Sequence, residues 1–250
     1  MTGRVLLTLV GVLCTVRVGA QPPTLDDAIA RESNAGPARQ VSTATLRQLL
    51  ADGSATLLDA RPPEEFAMSH IPGALNVSQK PGTPMSLYVS DVAEVKRLVA
   101  DTTRTLVVYC NGPFCGKSKR LAEELVASGY AAVRRYQLGM PGWRVAGGVA
   151  AIEASAIRRV AEFDRTATFV DAGLADGTAR LSSMIRIEAD EVVRAKDDGR
   201  LPMTDHNTRI IVIGRTAAQA REVARRIAEQ AFTNVAFYDA SAATLNQVTR

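Results

Sequence analysis

The sequence predicts an α/β protein made of two copies of one domain, each a mainly parallel sheet flanked by helices. Three observations predict it. Short apolar runs alternate with segments of helical periodicity, the pattern of strand–helix–strand units. The order of those segments recurs in the second half of the chain. A length of 250 residues is long for one small domain and suits two of roughly 100–150.

The elements follow in order. Residues 1–20, MTGRVLLTLVGVLCTVRVGA, hold an early Arg4, an apolar run from Val5 to Val16 and the small-residue ending Val18-Gly19-Ala20. This is the pattern of a secretory signal peptide cut after Ala20. Arg17 and the shortness of the run argue against a membrane anchor, and bulky Leu13 before Cys14 argues against lipidation. Residues 21–40, rich in Pro, Gly, Asn and mixed charge, read as a loose leader. Ser42-Thr43 caps a helix through Leu46, Leu49 and Leu50 that ends at Gly53. Thr56-Leu57-Leu58, ending at Asp59, reads as a buried strand, and Pro62-Pro63 opens a short helix. Val89 to Ala100 is helical by spacing, Thr105 to Cys110 is the strongest strand, Ser118 to Ser128 is an amphipathic helix stopped by Gly129, and Val133 to Tyr136 is another strand.

The same plan returns at nearly constant offset. Ser54-Ala-Thr-Leu-Leu-Asp-Ala60 matches Thr166-Ala-Thr-Phe-Val-Asp-Ala172, and Thr105 to Cys110 matches Arg209 to Gly214. Lys119 to Leu125 matches Arg221 to Ile227, and Gly129 to Tyr136 matches Ala231 to Tyr238. The expected division is therefore 41–150 and 151–250, with the second copy's loop two residues shorter and Gly214 standing where Cys110 stands.

Composition excludes several classes. Hydrophobic residues at 46% and charged residues at 22% are ordinary for a globular protein, so collagen, a disordered tail and a disulfide-dense miniprotein are out. No apolar stretch of about 18 residues occurs beyond the N-terminus, against a multi-spanning protein. Thirty basic and 26 acidic residues give a net charge of +4, and no basic run or aromatic-basic platform argues for nucleic acid. Cleavage of the leader would remove Arg4 and Arg17 and lower the charge to +2, leaving a protein with no stable membrane insertion. Export, to the periplasm by this reading, would put Cys110 and Cys115 in an oxidising compartment, where a free thiol needs a reductant.

The chemistry converges on Cys110, at the carboxyl end of a buried strand. Asn111, Gly112, Pro113, Phe114, Cys115 and Gly116 follow, and the helix opens near Lys117 and Ser118. Ligands of open α/β sheets bind at such ends. A glycine-bearing loop turned into a helix N-terminus offers backbone N–H groups to an anion. A cysteine at its centre is expected to have a lowered pKa, with Lys117 adding positive charge. The alternative for a cysteine in this place is plain packing.

Three motifs carry a family resemblance. Asp59-Ala-Arg-Pro-Pro-Glu-Glu-Phe66 with Ser69-His70-Ile-Pro-Gly-Ala-Leu-Asn76 resembles the N-terminal signature of rhodanese-type sulfurtransferases. Val108-Tyr109-Cys110 with its loop and helix resembles their active-site segment, and Leu138-Gly139-Met140-Pro-Gly-Trp143 their C-terminal signature. The resemblance implies two tandem rhodanese-like domains, the second without the catalytic cysteine, in an order opposite to the usual two-domain enzymes. It implies that Cys110 takes a sulfane sulfur from thiosulfate or a similar small donor anion as a persulfide and passes it to a thiol or cyanide acceptor, without a cofactor. It places the loop from Asn111 to Ser118 and Arg61 on the substrate, gives Asp59 a supporting role, and leaves His70 and Trp143 as packing.

Two departures keep alternatives open. Ser118 lies eight residues beyond Cys110, a loop longer than the usual six, which in this superfamily goes with phosphate- or arsenate-directed enzymes; those carry an arginine at the loop's end, where this chain has Lys117. Cys115 can meet Cys110 across the loop, the layout of a thiol redox protein, or can face inward. A non-enzymatic module binding an oxyanion or a partner peptide is the third possibility. The two histidines, His70 and His206, lack ligand spacing with the cysteines, so no metal is expected.

Overall fold

A computed structural model describes residues 38–78, 92–174, 181, 183–241 and 244. The leader expected at residues 1–20, most of residues 21–40, and Val89 lie outside them. Among the described residues ten strands form two five-stranded sheets, and every strand pairing within them is parallel.

The first sheet holds β1 (Arg39–Gln40), β2 (Ala55–Asp59), β3 (Leu75–Asn76), β4 (Thr105–Tyr109) and β5 (Val133–Tyr136), in the order β1-β5-β4-β2-β3. The second holds β6 (Ala150–Ile152), β7 (Thr168–Asp171), β8 (Met184–Arg186), β9 (Ile210–Ile213) and β10 (Val235–Tyr238), in the order β6-β10-β9-β7-β8. The two orders are the same permutation, so the repeat seen in the sequence is a repeat of topology. One element departs from expectation. Arg39–Gln40, assigned to the leader, forms an edge strand paired with Arg134 and Arg135. Two polar residues carry no apolar alternation, so nothing in their sequence marks them as a strand.

Eight helices connect the described strands: α1 (Thr43–Ala51), α2 (Pro63–Met68), α3 (Val92–Leu98), α4 (Gly116–Ala127), α5 (Gly139–Val145), α6 (Ala154–Phe163), α7 (Val192–Asp197) and α8 (Ala217–Ala228). The Ser42 hydroxyl caps α1 by accepting from the Thr45 N–H. Helix α4 begins two residues before the expected Ser118. Its inward positions Ser118, Leu121, Ala122 and Leu125 correspond to Ala220, Val223, Ala224 and Ile227 of α8, the register read from the sequence.

Strand alternation sorts the core into three layers. Leu106 and Val108 face α3 and α4 together with Val95, Leu121 and Leu125. Val107 and Tyr109 face the other way, into a cluster shared by both halves: Leu46, Leu57 and Trp143 from the first, Ile157, Val160, Ile211 and Ile213 from the second. Ile210 and Val212 close the third layer against α7 and α8. The halves are also tied through the backbone: His70 and Ala151 exchange hydrogen bonds of 2.9 and 2.8 Å.

Candidate functional site

Asp59, Tyr109 and Tyr136 stand level at the carboxyl ends of β2, β4 and β5. Cys110 leaves β4 at that edge and is almost wholly buried. Six residues later the chain enters α4, whose first-turn N–H groups lack intrahelical acceptors and point toward the loop. Cys115 occupies the N-cap position of α4 without a side-chain capping bond. Its sulfur is joined to that of Cys110 in a disulfide, with the Cα atoms 6.2 Å apart. The structure thus pairs the two cysteines, where the sequence left pairing and inward packing both open.

The rest of the expected loop residues divide between mouth and support. Asn111, Pro113, Phe114 and Gly116 are exposed, and Phe114 stands fully in solvent at 101% exposure. Lys117 is half-buried at the entrance to α4. The Asn111 Nδ2 donates to Glu65 Oε2 at 2.6 Å, tying the loop to α2. Gly112 is buried, and its carbonyl accepts from the Cys115 N–H at 3.1 Å, closing the turn.

Ser118 and Arg61, both expected at the substrate, are turned inward. Ser118 is 1% exposed, and its hydroxyl accepts from Arg135 Nε at 3.0 Å. Arg61 is 3% exposed and donates from Nε to Asp59 Oδ1 at 3.0 Å. The reason is chain direction. Residue 118 falls on the sheet-facing stripe of α4, and Arg61 folds back onto the carboxylate two residues before it. Burial opposes the Arg61 charge, but hydrogen bonding and attraction from Asp59 outweigh it and hold the guanidinium above its ordinary value. The second half repeats the turn: Asp171 accepts from the Gly173 N–H at 2.9 Å, as Asp59 does from the Arg61 N–H at 2.9 Å. Asp59 and Asp171 thus accept equivalent backbone hydrogen bonds at the ends of β2 and β7.

Arg135 is the supporting residue that sequence reasoning missed. It lies in mid-strand on β5, buried, and donates to the Ser118 hydroxyl and, at 3.2 Å, to the Cys115 carbonyl. Burial lowers its pKa, against the pull of Glu123. Two arginines, Arg134 and Arg135, within a four-residue strand were the available signal.

The Leu138-to-Trp143 motif also acquires a physical role. Gly139 has φ +58°, and a Cβ there would lie 2.1 Å from the Cys110 carbonyl oxygen. The next N–H, of Met140, donates to that same carbonyl at 3.1 Å. Trp143 is buried and its indole N–H donates to the Val149 carbonyl at 2.9 Å. His70 packs as expected, stacked on Phe66 with centroids 3.9 Å apart and Nδ1 at 2.9 Å from the Phe66 carbonyl. Burial holds His70 below its ordinary value. Burial likewise pushes the Tyr109 phenol well up, and its oxygen accepts from the Ile71 N–H at 3.0 Å.

In the second half, three residues separate β9 from α8 in place of six. Gly214 packs so closely on α8 that a Cβ would sit 3.0 Å from the Ala220 nitrogen. Among the described residues no cluster of His, Cys, Asp and Glu could hold a metal ion.

Parts of the chain are similar to known proteins. Residues 42–146 match the family model described as a rhodanese-like domain. An HTH-type transcriptional regulator of Mycobacterium tuberculosis is 32% identical over 135 residues, which cover 53% of this chain and 54% of that protein, so the chain spans about half of that relative's length. Among solved structures, the thiosulfate sulfurtransferase from Pseudomonas aeruginosa aligns over 84% of this chain and 42% of its own, at 21% identity and a TM-score of 0.36. SseA from Escherichia coli, described as a 3-mercaptopyruvate sulfotransferase, aligns over 80% of this chain and 97% of its own, at 18% identity and a TM-score of 0.37. The three motifs and the cysteine at the end of β4 all lie within residues 42–146, the segment that matches a rhodanese-like domain, and the second sheet repeats the strand order of the first without the cysteine.

Proposed function

We propose that the protein is a sulfurtransferase whose reduced form carries sulfur on Cys110. The observation that carries this is the placement of Cys110 between the carboxyl end of β4 and the N-terminus of α4, inside a rhodanese-like domain. The helix terminus stabilises an anionic sulfur there. A dithiol reductant first opens the Cys110–Cys115 bond and is itself oxidised to a disulfide. The Cys110 thiolate then attacks the outer sulfur of a donor such as thiosulfate. The new S–S bond forms as the donor's S–S bond breaks and sulfite leaves, giving a Cys110 persulfide. Cyanide or an acceptor thiolate attacks the outer sulfur and regenerates the Cys110 thiolate.

The disulfide favours a second reading, in which the two cysteines exchange electrons with a partner dithiol and move no sulfur. The apolar run of residues 1–20 supports action outside the cytoplasm, in a compartment such as the periplasm.

Mass spectrometry of the peptide spanning residues 104–119 tests both. After reduction and treatment with thiosulfate, sulfur transfer adds one sulfur atom at Cys110 that cyanide removes. No added sulfur, together with reversible reduction of the disulfide, overturns transfer in favour of the redox reading.

A further inference from the structure

A cavity of about 390 Å³ lies where the two halves meet, and its wall carries Arg61, Arg144, Arg159, Arg209, Glu64 and Glu65. Three of these four guanidinium groups have a carboxylate. Arg61 is paired with Asp59, Arg209 Nε lies 3.2 Å from Asp164, and Arg159 is 4.0 Å from Glu64. Arg144 has none among the described residues, and its Nε is buried without a hydrogen-bond partner. Glu65, the remaining carboxylate of the wall, accepts from Asn111. Burial, with the nearby charges of Arg209 and Arg61, pulls Arg144 down to about 10, which leaves it a cation at neutral pH. A half-buried cation whose Nε is sealed from water with no partner, and which has no counter-charge, is costly, and a bound anion offsets that cost.

We propose that this cavity binds a small oxyanion, held by Arg144 of α5 with Arg159 and Arg209 from the second half of the chain. The volume admits a tetrahedral sulfur oxyanion or a small carboxylate. The site is distinct from the N–H groups at the start of α4. Glu65 connects the two, lining the cavity while bonding the residue next to Cys110. The second half thereby takes part in ligand binding although Gly214 replaces the cysteine.

Calorimetric titration of the full chain with sodium sulfate and with sodium acetate tests this. The site binds at least one of them, and the tighter gives the ligand class. Arg144→Gln weakens that binding about tenfold or more, the loss of one charge-assisted contact. Cys110→Ser leaves it unchanged, so the result stands or falls apart from sulfur transfer. Saturating anion raises Tm of the wild type by about 5–10 °C at a hundredfold excess over Kd, and this rise is lost in Arg144→Gln. In anion-free buffer Arg144→Gln melts no lower than the wild type, because it removes an unpaired charge. The proposal is overturned if neither anion binds the wild type, if Arg144→Gln binds as tightly, if Cys110→Ser abolishes binding, or if Arg144→Gln is destabilised without anion.

Discussion

Gly139 and Cys110 meet backbone to backbone. A Cβ on residue 139 would lie 2.1 Å from the Cys110 carbonyl oxygen and 2.6 Å from the Gly112 nitrogen. Gly139→Ala therefore has to displace the cysteine loop, in addition to the strain of an alanine at φ +58°. The backbone strain alone costs about 1–3 kcal/mol. Urea unfolding is expected to show at least that loss, and persulfide formation on reduced Cys110 is expected to slow. An unchanged unfolding midpoint would show that α5 can move off the loop freely.

The Asp59–Arg61 pair is buried on both sides. Asp59→Asn removes the charge that Arg61 needs while leaving its guanidinium enclosed. Breaking a buried pair in this way costs about 3–5 kcal/mol. The expected outcome is a folded but much weakened protein by denaturant titration. Replacing both residues with apolar side chains of similar volume is expected to cost less than Asp59→Asn alone.

Under the proposed sulfur transfer the two cysteines have separable roles. Cys110→Ser is expected to abolish sulfur loading. Cys115→Ser is expected to preserve it and to remove the need for prior reduction, since no disulfide then blocks Cys110. Loading assays with and without a dithiol reductant distinguish the variants. A Cys115→Ser protein that cannot be loaded would point to joint action of both thiols.

His70 makes stability depend on pH. Its folded-state value lies below the ordinary 6.5, chiefly through burial, so between the two values the unfolded chain takes up a proton that the folded chain does not. Stability is therefore present above about 6.5 and declines as pH falls from there toward the folded-state value. The urea midpoint of the wild type is expected to drop from pH 7.5 to 5.5 by more than that of His70→Gln. Equal drops would remove His70 from the account.

Much of this architecture was legible because it rests on local patterns. The β4 run Thr105-Leu-Val-Val-Tyr109 shows its type by composition, and the Asp59 and Asp171 turns show their kinship by sequence. What escaped depends on long-range partners. Arg39–Gln40 is a strand only because β5 lies beside it. Ser118 and Arg61 are polar residues in a signature, which suggests ligand contact, yet Arg135 and Asp59 occupy them. The Arg144 cavity needs residues more than 60 positions apart, from Arg144 to Arg209, and no window of sequence brings those together.

The middle core layer draws Trp143 and Tyr109 from one half and Ile157, Ile211 and Tyr238 from the other. Each half therefore supplies the lid for its neighbour's apolar face, and neither carries a finished surface of its own. A chain cut near residue 150 would open this seam to water and invite self-association. The second half has no cysteine at the matching place, yet the shared layer is expected to make it necessary for stability: heating should melt both sheets in a single cooperative event, so a lesion far from Cys110, at Ile211 for example, would lower the amount of folded protein without altering the Cys110 loop.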